Sequence, residues 1–358
     1  MPPDRSPVPV GVVGTGGIAK EHLAYLQGSP RTRLVGVADL SPAASRHAAE
    51  RWGADAWYTS HTEMLATARP VVTHVLTPPN THSDIVADAL RAGSHVICEK
   101  PLAATGEELR TLLALAQDKG LWLLEDQNYR WNDPVLQLQE QVRSGRLGQV
   151  RDVEVRMALR LRDGGAFADP HLRSPAHDLP AGVLHDLLPH LVYLGLLFAP
   201  QAAHPERMSS HWSNHGGEDG LWRWDDLDAT LIAQGVHLRI RFSSQTRPEA
   251  LALTVRGDQG EATVDLFQPH LLVRSPRPVG KELTPIVDHI VNGAGLARSG
   301  VRNLVQKLLQ HSPYHGMHRF LDATYAALQT GGEPPLTPQD MDDTARLVDL
   351  MLLPENQR

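Results

Sequence analysis

Val10-Gly11-Val12-Val13-Gly14-Thr15-Gly16-Gly17-Ile18-Ala19 is an apolar strand that runs into a glycine turn and then into a helix. Gly14, Gly16 and Ala19 occupy the three small positions of G-x-G-x-x-[G/A]. The first permits a tight turn, the second lets backbone approach a pyrophosphate, and the third lets helix and strand lie close. The helix N-terminus then offers N–H groups and a positive dipole end to phosphate oxygens. A second strand at 33–38 ends in Asp39, about 20 residues after the turn, where the dinucleotide fingerprint places an acid. A carboxylate there accepts hydrogen bonds from an adenosine ribose and repels a 2′-phosphate. Leu40 and Ser41 follow, with no arginine to receive that phosphate, so NAD is favoured over NADP. The competing view, a structural turn followed by an ordinary surface aspartate, needs strand, turn and acid to coincide by chance. Gly14, Gly16, Gly17, Ile18, Ala19 and Asp39 are therefore candidate cofactor-binding residues.

The chain has 358 residues, long for one core and suited to two domains. A hydrophobic content of 41% with 21% charged residues fits a globular chain rather than a disordered one. The formal net charge of −7 argues against nucleic acid or an acidic membrane surface as the main partner. Cys98 is the only cysteine, which excludes an intramolecular disulfide and a multi-cysteine metal site. The N-terminal residues Met-Pro-Pro-Asp-Arg-Ser-Pro lack an apolar core, and nothing approaches the roughly 18 apolar residues of a membrane span. A cytoplasmic location is the expectation.

Strand and helix alternate through the first third. Ser41 caps a helix with Pro42 in its first turn and Gly53 past its end. The apolar run 71–76 reads as a buried strand, broken by Thr77-Pro78-Pro79-Asn80 before a helix at 83–92. His95–Cys98 is the next strand, and Thr105 with Glu108 forms a capping box for a helix ending at Gly120. A short strand at 121–124 follows. Such units imply a parallel sheet with right-handed crossovers: a Rossmann NAD-binding domain over residues 1–127. In the domain at 128–358 the pattern changes. After a helix from Asp133 to about residue 144, Val153, Val155, Met157, Leu159 and Leu161 alternate with charged residues, marking a strand with one buried face. Strands at 229–233, 237–243, 251–256, 262–266 and 271–274 follow without helices between them, which predicts a large, mostly antiparallel open sheet. Helices are predicted at 285–291, 316–330 and 338–352, the last packing back near the first domain. Residues 204–225 read as an irregular excursion. The class is α/β plus α+β.

Chemistry concentrates in two places. Glu99-Lys100-Pro101 lies at the carboxyl end of a buried parallel strand, the edge where open α/β sheets bind ligands. An ammonium there either holds a substrate oxygen or is an ordinary solvated loop lysine. Asp186 and His190, four apart in an apolar helical stretch, share one face. Histidine is the side chain that titrates near neutrality and serves as a base for a hydroxyl proton; the other view is a hydrogen-bonded helix pair without catalytic duty. Pro189 removes a backbone bond between them. Thr77, Pro78, Asn80 and His82 are further candidates for cofactor contact, or cap the next helix. Arg130 and Arg173 are candidates for substrate oxygens, or pair locally. The 19 histidines include a dense run from His171 to His215, but no H-E-x-x-H occurs, so no metal site is expected.

The arrangement resembles the Gfo/Idh/MocA oxidoreductases, the family of glucose–fructose oxidoreductase and inositol dehydrogenase. The resemblance rests on Gly14-Thr15-Gly16-Gly17-Ile18-Ala19, Thr77-Pro78-Pro79-Asn80-Thr81-His82, Glu99-Lys100-Pro101-Leu102, Asn128-Tyr129-Arg130 and Asp186-Leu187-Leu188-Pro189-His190. It implies Lys100, Asp186 and His190 as the catalytic set, with His190 as acid/base, Glu99 beside the cofactor and a cis Lys100–Pro101 bond. Ala181-Gly182 replaces a glycine pair common in relatives, and Leu187-Leu188-Pro189 is bulkier than usual, which alters the expected pocket shape.

The resulting expectation is an NAD-dependent dehydrogenase or reductase acting on a secondary alcohol of a sugar, cyclitol or related polyol. It requires an ammonium from one domain and an imidazole from the other to serve one substrate. Two alternatives stand beside it: an NAD-dependent glycoside hydrolase using transient oxidation, and a non-catalytic NAD-binding regulator. An open sheet face predicts a homo-dimer or homo-tetramer.

Overall fold

The computed structural model describes residues 6–164, 167–169, 174–217, 222–308, 314–353 and 356, excepting the side chains of 306 and 307. The chain forms two compact units, one of Met1–Asn128 with Tyr314–Ala345 and one of Tyr129–Pro313 with Arg346–Arg358. The segment 314–345, which the sequence places in the second domain, thus clusters with the first.

The first unit runs β1 (Val8–Val13), α1 (Ala19–Gly28), β2 (Thr32–Ala38), α2 (Pro42–Trp52), β3 (Trp57–Tyr58), α3 (His61–Ala68) and β4 (Val72–Val75). It continues with α4 (His82–Arg91), β5 (His95–Cys98), α5 (Gly106–Lys119) and β6 (Leu123–Glu125). All strands pair in parallel, in the order β3-β2-β1-β4-β5-β6. The winding reverses between β1 and β4, and ligands of such sheets bind at that point, beyond the carboxyl ends. Local signals explain the helices. Ser41 accepts from the Ala44 N–H and Gly53 closes α2 in the left-handed region at φ 73°. Thr105 likewise accepts from Glu108 N–H, and Gly120 ends α5 at φ 64°. The strands other than edge strand β3 are mostly buried on both faces, hence their nearly unbroken apolar runs.

The second unit holds α6 (Asp133–Arg143), β7 (Val150–Ala158), α7 (Val183–Leu196), β8 (Arg207–Ser213), β9 (Asp226–Ala233), β10 (Val236–Ser243), β11 (Ala250–Gly257), β12 (Glu261–Asp265) and β13 (His270–Arg274). Its sheet has the order β13-β12-β11-β7-β10-β9-β8, with β10 and β7 parallel and the other pairs antiparallel. One face carries the core, against which α7 packs closely: a Cβ at Gly195 would stand 2.7 Å from a Leu238 methyl, which would have to move aside. The opposite face is charged, with Arg256 bridging Asp152, Glu154 and Glu261, and Arg241 pairing with Asp228.

Two expectations are corrected here. Within 204–225, residues Arg207–Ser213 form edge strand β8, paired antiparallel with β9. Its polar sequence hid it, because an edge strand draws order from its neighbour's backbone rather than from burial. The helix predicted to end at 291 is α8 (Thr284–Leu308), since Gly293, Gly295 and Gly300 weaken helix propensity without breaking it. The helices α9 (His315–Thr330) and α10 (Pro338–Leu352) complete the chain. Among the described residues no helix is long and apolar enough to cross a membrane.

Candidate functional site

The glycine turn sits where the sheet order reverses. Gly14 has φ +93°, and a Cβ there would lie 2.8–2.9 Å from backbone atoms of Leu76 and Thr77. The turn from β1 and the loop after β4 are thus in backbone contact, which glycine alone permits. At Gly16 and Gly17 a Cβ would meet no protein atom within 4 Å. The protein's own packing makes no demand for glycine at those two positions, whereas a pyrophosphate crossing the turn does, so the residues present fit a dinucleotide. No side chain caps the start of α1 at Ile18. Asp39 ties the turn to β2: its Oδ2 accepts from Thr15 N (2.9 Å) and Thr15 Oγ1 (2.6 Å), and its Oδ1 accepts from Ser41 N (2.9 Å).

Lys100 stands half-buried at the end of β5, before a cis bond to Pro101. Two buried carboxylates grip the backbone around it. Glu99 Oε2 accepts from Lys100 N (3.2 Å), and Glu125 Oε1 accepts from Leu102 N (2.9 Å). His82 is fully buried, with Nδ1 2.8 Å from the Pro101 carbonyl and Nε2 2.8 Å from the Thr77 carbonyl. Both neighbours are carbonyl acceptors, so the ring is held between two main-chain oxygens. His82 thus clips the loop after β4 to the Lys100 turn. Asn80 and Pro78 are exposed at the same edge, and Thr77 is half-buried.

Behind the turn lies a buried polar cluster that sequence reasoning missed. His22 Nε2 faces Glu99 Oε1 at 3.4 Å and Asp126 Oδ2 at 3.5 Å, and its Nδ1 is 2.8 Å from His74 Nδ1. His74 Nε2 in turn lies 2.6 Å from the Tyr325 hydroxyl. Burial opposes charge on His22, but Asp126 and Glu99 overcome it and raise its pKa to about 9. Burial lifts Asp126 to about 6, against the pull of His22. Burial pushes Glu99 upward too, yet the hydrogen bond and charge of His22 hold it below the ordinary carboxylate range. Burial and the His22 charge drive His74 well below its usual value, keeping it neutral. One proton pattern satisfies the chain: His22 Nδ1–H donates to His74 Nδ1, and His74 Nε2–H donates to Tyr325. Glu99 thus faces the interior and steadies the lysine turn from below. A signal existed in the sequence, because His22 falls on the buried face of α1 with Ala19, Leu23 and Leu26. None of the described histidines from His177 to His215 belongs to this cluster, whose ligand atoms on His22, Glu99 and Asp126 lie within 4.8 Å of one another.

In the second unit, α7 starts at Gly182, whose φ of 61° places it in glycine's region, and contains Pro189. His190 is buried, with Nδ1 2.7 Å from the Tyr193 hydroxyl and its ring 4.7 Å from that of Tyr129. The same hydroxyl accepts from Tyr129 N at 3.3 Å. A hydroxyl both donates and accepts, so Tyr193 stays bonded to Nδ1 whether His190 holds or yields a proton. Asp186 lies one turn earlier on the same face, half-buried. Arg130 is half-buried in the short turn Asn128–Trp131. Arg173 lies outside the described residues. The structure thus brings Gly14, Asp39, Thr77 and Lys100 to one edge of the first unit, and Asp186 and His190 to one helix of the second.

Residues 8–126 match the oxidoreductase family with an NAD-binding Rossmann fold, and residues 135–263 match the GFO/IDH/MocA C-terminal domain. The chain is 32% identical over 145 residues to the inositol 2-dehydrogenase of Rhizobium meliloti (strain 1021), covering 40% of this chain and 43% of that protein. It therefore spans less than half the length of that relative. The WlbA dehydrogenase from Bordetella pertussis, solved with NADH and UDP-GlcNAcA, has TM-score 0.77 and 19% identity, covering 99% of this chain and 96% of that one. KijD10, a 3-ketoreductase from Actinomadura kijaniata solved with NADP, has TM-score 0.74 and 19% identity, covering 98% of each chain. These two likenesses concern the fold alone.

Proposed function

The chain belongs to the GFO/IDH/MocA oxidoreductase family, and we propose that it is an NAD(H)-dependent dehydrogenase or reductase acting on a secondary alcohol or ketone of a sugar, cyclitol or related polyol. The observation that carries this reading is the seating of Lys100. Its turn shares the ligand-binding edge with the glycine turn, and Glu99, Glu125 and His82 hold it in place. Bound NAD would supply hydride transfer at its nicotinamide ring. Gly14, Gly16, Gly17 and the α1 N-terminus would receive its pyrophosphate, and Asp39 its adenosine ribose. Lys100 binds and polarises the substrate oxygen. His190, with Tyr193 on its other nitrogen, takes or returns the hydroxyl proton, and Asp186 orients the substrate or the imidazole. Asp39 supports NAD over NADP, a choice the fold leaves open because neighbours are known with either. The polyol class is supported by the names of relatives such as inositol 2-dehydrogenase.

The test is reduced-nicotinamide absorbance over a panel of cyclitols, glycosides and nucleotide sugars, followed by stopped-flow on the best substrate. Lys100→Ala and His190→Asn should each slow hydride transfer by about 10²-fold or more, the span that general acid–base groups supply. Full-rate transfer in both variants would sink the mechanism. Tight NADH binding with no turnover of any substrate would sink the activity.

A further inference from the structure

Helix α8 is amphipathic the wrong way round for a helix covering its own core. Its polar residues face its own unit: Asn292 exchanges hydrogen bonds with the Val273 backbone, Asp288 pairs with Arg277, and Asn303 donates to the Pro269 carbonyl. At 100° per residue those positions lie opposite a stripe of apolar residues that begins at Leu283 and ends at Leu308. Ten of the fifteen exposed large apolar side chains among the described residues fall between Val279 and Leu308, Ile290 at 66% and Leu308 at 72%. Monomers rarely expose so concentrated a patch.

The stripe steps by four and three, the spacing of a helix–helix seam. It also reads the same backwards in residue class, small at the centre and branched aliphatic outside. Ala294 and Ala297 stand at its centre, Ile290 and Val301 flank them, then Val287 and Leu304, then Leu283 and Leu308. Each pair is centred on one point between residues 295 and 296. A two-fold interface demands that residue i touch j while j touches i, and antiparallel pairing of this stripe with itself meets that demand at every layer. The small central residues let the two helices approach closely at the axis. The stripe's exposed members Leu283, Ile290, Val301, Leu304 and Leu308, at 54–72% exposure, form with the flanking Ile286 and Val305 the apolar centre that an interface of about 800 Å² per partner needs. We propose that α8 is an antiparallel self-association helix, and that the partner it fits is a second copy of this chain docked α8 to α8.

Analytical ultracentrifugation of the full chain at micromolar concentration, with register-specific crosslinking, tests this. Ile290→Glu with Val301→Glu should halve the native mass and leave the far-UV circular dichroism unchanged, since both side chains are exposed. Val287→Cys protein mixed with Leu304→Cys protein should form a covalent dimer under mild oxidation. Val287→Cys alone should not, because antiparallel pairing parts its two copies by about 25 Å at 1.5 Å per residue. Cys98, the only native cysteine, is buried and does not interfere. A native monomer, an unchanged mass in the glutamate variant, or efficient self-crosslinking of Val287→Cys would each overturn the proposal. So would a native monomer that sediments with anionic phospholipid vesicles, which would assign the face to lipid.

Discussion

The glycines of the first turn separate what the fold requires from what the cofactor requires. In Gly14→Ala, the new Cβ would stand 2.8 Å from the Leu76 carbonyl carbon and oxygen, and φ is +93°. A non-glycine residue in such a conformation costs about 1–3 kcal/mol. Overlap with backbone that cannot rotate away adds about 1–3 kcal/mol. The sum, about 2–6 kcal/mol, lowers the melting temperature by roughly 5–20 °C for a unit of this size. In Gly16→Ala the Cβ meets nothing within 4 Å and the backbone is not in the positive-φ region. Stability should then stay within about 0.5 kcal/mol of the parent. NADH affinity should nevertheless fall at least tenfold, about 1.4 kcal/mol, because the methyl occupies the path of the pyrophosphate. Differential scanning calorimetry and NADH fluorescence titration on both variants check this. A Gly14→Ala protein as stable as the parent, or a Gly16→Ala protein that binds NADH normally, would refute the reasoning.

Three further outcomes are expected. His22 carries a pKa of about 9 against an ordinary 6.5, so its stabilisation is complete below 6.5 and disappears as pH rises through about 9. Asp126, at about 6, has finished titrating by pH 7, so chemical denaturation between pH 7 and 10 should show a stability loss in the parent that His22→Gln lacks. Asp39→Ser should raise the ratio of kcat/KM for NADP over NAD at least tenfold, read from steady-state rates; an unchanged ratio would remove Asp39 from cofactor choice. Asp225 is fully buried and accepts from His215 N, Gly216 N and Gln245 Nε2 beside Arg162, so Asp225→Asn, which sets an NH2 group against these donors and removes the charge facing Arg162, should cost about 3 kcal/mol in urea melts.

Where order is local, it was legible. Ser41, Gly53, Thr105 and Gly120 act within their own helices, and the parallel strands inside the sheet announce themselves as apolar runs because both faces are buried. The glycine turn and Asp39 were legible for the same reason, since a short strand–turn–helix segment and one acid define them. Edge strand β8 and the second half of α8 were not: one is polar and ordered by a neighbour, the other carries three glycines inside a helix.

Sequence by itself thus determined the dinucleotide turn, the alternation that builds the first sheet and the position of Lys100 at its edge. Tertiary structure alone decided how that lysine is held. His22, His74, Asp126 and Tyr325 are separated by up to 303 residues (22 to 325) and meet only in the folded interior, where burial and mutual charge set their protonation. It also decided that α8 turns its polar side inward. Periodicity reveals that a helix has two faces, but which face meets the body of the protein depends on the partners that β13 and the loops before and after it present.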